Sequence, residues 1–400
     1  MSLEALVSRM TELATLDPRR ALTGASSHLW QGEGLADGEL ATLEAALGHQ
    51  IPADFRRWAL DLVGLGAGPF LGTLRPPALH DAGDIARPFA PEAAHAPGRI
   101  AGAMPVTRLP GDAEAVLVVS GPHGGSVWGD YRGAGGGLVA LAPSFETFVD
   151  AWLTLAEVEW GVAYGAGDVP EEATELFGQR VRASTGAVLS ALADEASGPL
   201  TELARRHGPT LAQVKHLHAR FVLGDGDLVA AELAFADAGL VAPANSALVV
   251  LGRCAIAEAR GDLDAWVAAA EDGLLLTGLD WRERKHLLAQ RAHALEAKDR
   301  YPEALDAHID LCEHDPSDLP EWLTVAYLMC HFGDFDRAVT WLRRILDLDT
   351  GLDPELSLRE KMEQACASVH AALREEGYEE DSTSLEEAVE RYLLTAELWG

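Results

Sequence analysis

The sequence predicts an α+β N-terminal domain followed by an all-α helical solenoid, within 400 residues. Three observations carry this. Apolar residues up to Val63 recur at helical spacing. Short apolar runs bounded by Gly and Pro replace that period between Glu114 and Leu141. Beyond Tyr164–Pro170, a Gly- and Pro-containing stretch that reads as a linker, the helical period returns and one signature occurs four times. At roughly 100–200 residues per domain this length suits two or three domains. The expected divisions are an α+β domain over 1–165, a linker and connecting helices over 166–210, helical repeats over 211–350 and capping helices over 351–400.

Leu3, Leu6, Val7, Met10, Leu13 and Ala14 share one face of a first helix within Met1–Leu16. Asp37 is the expected N-cap of a second, with Leu40, Leu43 and Leu47 inward and Gly48 closing it. Ile51-Pro52 opens a third, because Pro is tolerated in a first turn. Phe55, Trp58, Ala59, Leu62 and Val63 form its buried stripe. Glu114–Val119, Ser126–Trp128 and Leu138–Leu141 then read as strands. Ser144 caps a helix carrying Phe145, Phe148, Val149, Trp152 and Leu155. Helices, then strands, then a helix make an α+β arrangement.

In the second half, Gly226-Asp-Leu228, Gly261-Asp-Leu263, Asp299-Arg-Tyr301 and Gly333-Asp-Phe335 are versions of one signature, their third residues 35, 38 and 34 positions apart. A helix–turn–helix unit of this period resembles the tetratricopeptide repeat. Asp315-Pro316 lies where that repeat has its terminal Pro, and Trp322 where its first helix has Trp. Trp266 departs from the pattern, standing where a small residue normally lets helices approach. Ser384-x-x-Glu387 reads as a capping box that opens a closing helix with Leu385, Val389, Tyr392, Leu393 and Ala396 inward.

The repeat register places His216, Arg220, Glu258, His286, His293, Glu296, Tyr327 and His331 on a concave face. A groove of imidazoles and carboxylates there would hold an extended peptide, with charge that changes between about pH 5 and 7. The alternative is that these are ordinary solvent-facing side chains.

Charge narrows the function classes. There are 31 Lys and Arg against 63 Asp and Glu, a formal net charge of −32. Phosphates demand a positive surface, so direct binding to nucleic acid or anionic lipid is not expected, whereas a basic protein partner is. The excess is uneven: residues 1–165 hold 10 basic and 19 acidic side chains, the remainder 21 and 44. No apolar run approaches the roughly 18 residues that span a bilayer. Met1–Arg20 lacks a basic segment followed by an apolar core, so no signal peptide is expected and the cytoplasm is the expected compartment. Cys254, Cys312, Cys330 and Cys366 lie tens of residues apart in helical patterns, which reads as buried thiols, not as a disulfide framework or a metal knuckle.

No catalytic constellation, cofactor or metal site is expected. Only four lysines occur, Lys215, Lys285, Lys298 and Lys361, and none completes a phosphate loop. Gly64–Gly72 is Gly-rich, but a helix precedes it and Pro69 follows, so it reads as a tight turn and not a dinucleotide loop. Gly124-Gly-Ser126-Val-Trp-Gly129 fails as a nucleophile elbow because Trp128 stands where Gly is needed. His216 and His218 point to different helix faces. Cys312 with His314, and Cys330 with His331, read as repeat residues in preference to a zinc site.

The first domain also resembles a known family. Leu40-Ala-Thr-Leu43-Glu44-Ala-Ala-Leu47-Gly48, followed by Ile51-Pro52-Ala-Asp54-Phe55-Arg56, matches the helix, Gly, apolar-Pro and next helix of the SUKH superfamily. Gly66–Gly72 matches its glycine-rich turn. Leu117–Gly121, Gly125–Trp128 and Phe145–Leu153 match its strands and closing helix. The resemblance covers residues 20–160, and the stretch from Pro76 to Met104 departs from it, reading as an insertion or a loop. The family includes fungal cell-wall-assembly regulators and bacterial immunity proteins. What it implies is recognition without catalysis: a protein that blocks a toxin, many such toxins being nucleases. An intracellular scaffold or signalling adaptor is the alternative, and an enzyme of unrecognised type a third reading. Trp30, Trp128, Asp130 and Tyr131, aromatic or charged groups beside Gly-rich turns, are the candidate contact residues of this domain.

Overall fold

The computed structural model describes residues 2–17, 20–33, 37–74, 85, 87–93, 100–164, 175–193, 198–243, 246–316, 318–347, 358–375 and 377–399. It is mostly helical, with a four-stranded antiparallel sheet in its N-terminal part and a helical C-terminal part. Two compact units divide the chain, Met1–Val241 and Ala242–Gly400.

The first unit opens with α1 (Leu3–Thr15), the short α2 (Ala25–His28), α3 (Asp37–Leu47) and α4 (Ala53–Arg57), which runs on through a single π turn, Trp58–Leu62. Leu40, Leu43 and Leu47 are buried as the helical period requires, and Gly48 ends α3 in the left-handed region. The sheet follows as a meander of β1 (Ala103–Leu109), β2 (Ala113–Val118), β3 (Val127–Asp130) and β4 (Leu138–Ala142). Alternation on β2 sends Ala113, Ala115 and Leu117 into the main core, while Val116 and Val118 join Phe89, Ile100 and Ala103 in a small core on the other face. α5 (Phe145–Tyr164) is the axis of the unit, buried along most of its length. Its N-cap is Ser144, whose Oγ accepts from the Thr147 N–H at 3.1 Å.

Strand β1 has no counterpart in the sequence reading, which assigned Pro76 to Met104 as loop or insertion and began the sheet at Glu114. Pro105 hides it. Pro cannot donate to a ladder, and β1 accommodates it as an edge strand whose register slips between Pro105 and Thr107. Of the preceding stretch, Pro76, Pro77 and Pro97 lie outside the described residues. Phe89 covers the outer sheet face, and its N–H donates to the Ser120 carbonyl at 3.2 Å.

α6 (Glu175–Ala193), α7 (Pro199–His207) and α8 (Leu211–Gly224) place Phe177, Val181, Val188, Leu203, Val214 and Leu217 in the same core as α1 and α5. α9 (Leu228–Val241) packs on α8. The packing boundary therefore falls at Val241, later than the linker read from composition, and residues 165–174 of that linker lie outside the described residues. The Gly64–Gly72 segment is a tight turn: a Cβ on Gly72 would lie 1.8 Å from the Gly66 carbonyl oxygen.

The second unit is a series of helix hairpins: α10 (Ala247–Arg260) with α11 (Leu263–Leu274), α12 (Trp281–Ala297) with α13 (Tyr301–His314), and α14 (Leu319–His331) with α15 (Phe335–Asp347). α16 (Leu358–Glu375) and α17 (Glu379–Trp399) follow. All four copies of the sequence signature occupy hairpin turns, the first between α8 and α9. Gly226, Gly261, Asp299 and Gly333 each adopt positive φ there, reversing the chain. Asp227 and Asp262 then accept from the N–H three residues on, capping the returning helix.

The capping box at Ser384 is not realised. Helix α17 begins five residues earlier, at Glu379, where Gly377 (φ +85°) has already reversed the chain. Glu379, Glu380 and Asp381 suit that first turn because carboxylates stabilise the positive end of a helix.

Candidate functional site

A buried group of charged side chains lies where α12, α13 and α14 meet. His308 lies on the apolar face of α13, between Ala304, Leu305 and Ala307 on one side and Leu311 and Cys312 on the other, and is 1% exposed. Its Nδ1 pairs with the Glu321 carboxylate of α14, and its Nε2 lies 3.2 Å from Glu296 Oε1 of α12. The His293 ring is 6.1 Å away. Burial alone would discharge the imidazole, but the Glu296 and Glu321 carboxylates prevail and lift its pKa to about 9. Burial likewise opposes the Glu296 charge, and His308 reverses that, holding the carboxyl below its ordinary range.

An aromatic group stands beside this triad. The His331 ring, at the end of α14, has Tyr301 at 5.7 Å, Tyr327 stacked at 6.4 Å, Phe332 at 5.9 Å and Tyr378 at 5.1 Å. These rings come from four separate places in the sequence: the start of α13, the end of α14, the turn after it and the turn before α17. All remain partly exposed, and Phe332 is 41% exposed. The Tyr301 hydroxyl donates to Asp299 at 3.1 Å, a bond that holds its pKa above the ordinary tyrosine value.

Four residues of the expected groove, His293, Glu296, Tyr327 and His331, therefore belong to this region. His308, Glu321, Tyr301 and Tyr378 were missed. Their signal was present: a His within an apolar helical stripe, and tyrosines flanking the hairpin turns. With its pKa lifted to about 9, His308 stays charged between pH 5 and 7 and supplies no change there. Glu258 is exposed on α10, and His286 is half-buried on α12. His216 and Arg220 lie on α8 in the first unit. The expectation that His216 lines the concave groove is corrected: it is buried, its ring edge-to-face with Phe235 at 5.0 Å, because it falls on the side of α8 that packs against α9.

In the first unit, Tyr131 is buried, which corrects its place among surface candidates. Gly129 and Gly136 make the space: a Cβ on either would come within 2.4 or 2.7 Å of the Tyr131 side chain. Its hydroxyl lies 2.8 Å from His207 Nε2 of α7, and the two rings stack at 5.8 Å. Burial lifts the Tyr131 pKa to about 12 and lowers that of His207 to about 4, so the pair is neutral. Trp30 is half-buried against Trp152, with its Nε1–H 3.4 Å from Asp17 Oδ2. Trp128 is half-buried, 5.1 Å from the Phe89 ring, and donates to Ser126 Oγ at 2.9 Å. Asp130 takes two bonds from the Arg132 guanidinium, at 2.8 and 2.9 Å; burial opposes its charge, but Arg132 holds the carboxyl below its ordinary value.

Among the described residues no His, Cys, Asp and Glu side chains are grouped as a metal site would require, and no helix is long and apolar enough to cross a membrane. The four cysteines are buried free thiols whose pKa values burial pushes well up, which leaves them as inert as core residues. Comparison with models of known families and with curated proteins found no match.

Proposed function

We propose that this chain is a non-enzymatic binding protein, an immunity-type inhibitor that occupies a basic bacterial toxin, most specifically the substrate cleft of a nuclease. The observation that carries this reading is the charge of the second unit, whose residues 242–400 hold 33 acidic against 15 basic side chains. Negative charge on stacked helices mimics a phosphate backbone, accelerates encounter with a basic cleft and loses force in salt. The resemblance of residues 20–160 to the SUKH superfamily supports recognition in place of catalysis. Co-expression with a basic toxin encoded near this gene is expected to protect the host cell. Failure to protect overturns the reading.

A scaffold or signalling adaptor is the second reading. It is favoured by the division into two compact units, each with cores of its own, which would let separate partners be held. Affinity purification that returns several unrelated partners, and no basic toxin, selects it.

A further inference from the structure

We infer that the aromatic group around His331 is the place where the second unit grips an arginine side chain of its basic partner. This deepens the proposed function and rests on it. Guanidinium groups bind where flat π-faces and carboxylates occur together, since the ring quadrupole attracts the cation and its planar fork meets a carboxylate.

Both elements are present. Tyr301, Tyr327, Phe332 and Tyr378 surround His331 at 5.1 to 6.4 Å and keep part of their surfaces in solvent. Three of these rings have a carboxylate within two residues: Asp299 beside Tyr301, Asp334 beside Phe332 and Glu379 beside Tyr378. The neighbouring cations are already committed elsewhere. Lys298 pairs with Asp264, Arg300 with Glu303, and Arg374 with Glu386. Within the ring cluster the His331 Nδ1 is buried and has no hydrogen-bond partner. A large exposed ring such as Phe332 is also of the kind enriched at protein interfaces.

The test uses the full chain and fluorescent octa-arginine and octa-lysine peptides, followed by anisotropy at about 0.15 M salt, where surface attraction is screened beyond roughly 8 Å. Phe332→Ser and Tyr378→Leu leave the net charge unchanged. Each is expected to weaken octa-arginine several-fold, and together about tenfold, with octa-lysine binding less tightly than octa-arginine throughout. Phe332→Ser removes an exposed ring, so its melting curve should match the parent and exclude unfolding as the cause. Aromatic variants that bind octa-arginine as the parent does overturn the proposal, leaving non-specific charge. The two readings fail separately. Co-expression without protection, alongside ring-dependent arginine binding, removes the inhibitor reading and keeps this site. Protection that survives both substitutions, alongside ring-independent binding, does the reverse.

Discussion

Arg9 and Glu157, 148 positions apart in sequence, meet inside the first unit as a two-point ion pair, Nε to Oε1 at 3.0 Å and Nη2 to Oε2 at 2.9 Å. The Glu157 carboxylate is fully buried, and it also accepts from Arg180 Nε at 2.7 Å and Ser184 Oγ at 2.6 Å. Arg9 reaches Asp150 at 2.6 Å, and Arg180 reaches Glu12 at 2.8 Å. One carboxylate thus joins α1, α5 and α6, which is why α6 belongs to the first unit.

Removing Arg9 takes away two of the four bonds to the buried carboxylate, while Arg180 and Ser184 keep the rest. Arg9→Met is expected to cost about 1.5–3 kcal/mol, the range of hydrogen bonds to a charged group, read as a lower urea midpoint at unchanged slope. A loss below about 1 kcal/mol, the range of an exposed pair, would mean that water reaches the carboxylate.

The elements most legible in the sequence are those whose pattern comes from local chemistry. The leucine stripe of α3, the Ser144 cap and the four Gly-Asp or Asp-Arg turns are all of this kind, because period and capping are properties of neighbouring residues. What was not legible depends on distant partners. Arg9 and Glu157 sit on otherwise apolar helix faces, and a charge in such a place marks a burial conflict without naming its partner. Pro105 reads as a strand breaker unless its edge position is known. Ser384 resembles a cap only because the earlier stop at Gly377 is weaker on paper than in three dimensions. Of the second-unit groove, the sequence register found His293, Glu296, Tyr327 and His331. The buried imidazole that organises two of its carboxylates faces away from the surface that register describes.

Two glycines with positive φ separate backbone strain from steric collision. Gly48 (φ +64°) has open space where a Cβ would stand, so Gly48→Ala should cost about 1–2 kcal/mol for the left-handed backbone alone. At Gly72 (φ +90°) the Cβ would also collide with the Gly66 carbonyl. Gly72→Ala should therefore cost clearly more, and equal losses in paired urea titrations would refute this packing of the turn.

Acid should loosen the first unit through His207. Its pKa in the folded chain is about 4, mainly from burial and secondarily from Arg206, against about 6.5 when unfolded. The unfolded chain therefore takes up the proton first. The contribution is complete above pH 6.5 and is lost as pH falls through 4. His207→Gln should flatten the stability profile of the first unit between those limits, with the parent-minus-variant difference as the readout. A difference that does not change with pH would show that the ring is not held neutral against Tyr131.

The opposite sign applies to His308 in the second unit. With a folded pKa of about 9 and an unfolded value of about 6.5, the folded chain keeps a proton that the unfolded chain releases. Its stabilisation is complete below pH 6.5, declines through the interval and is gone above 9. The size at acid pH is on the order of 3 kcal/mol, since each unit of separation is worth about 1.4 kcal/mol. Glu296 and Glu321 are the charged partners, from α12 and α14, with the His293 ring nearby. Glu321→Gln removes one of the two carboxylates and should lower the His308 pKa, moving the decline to lower pH, while His308→Gln should abolish it. Proton resonances of the imidazole, followed from pH 6 to 10, give the midpoint directly, and melting curves of parent and variants over the same range give the energy. A His308 resonance that titrates near 6.5 would remove the charged triad, and with it the account of how α12, α13 and α14 are held beneath the aromatic surface.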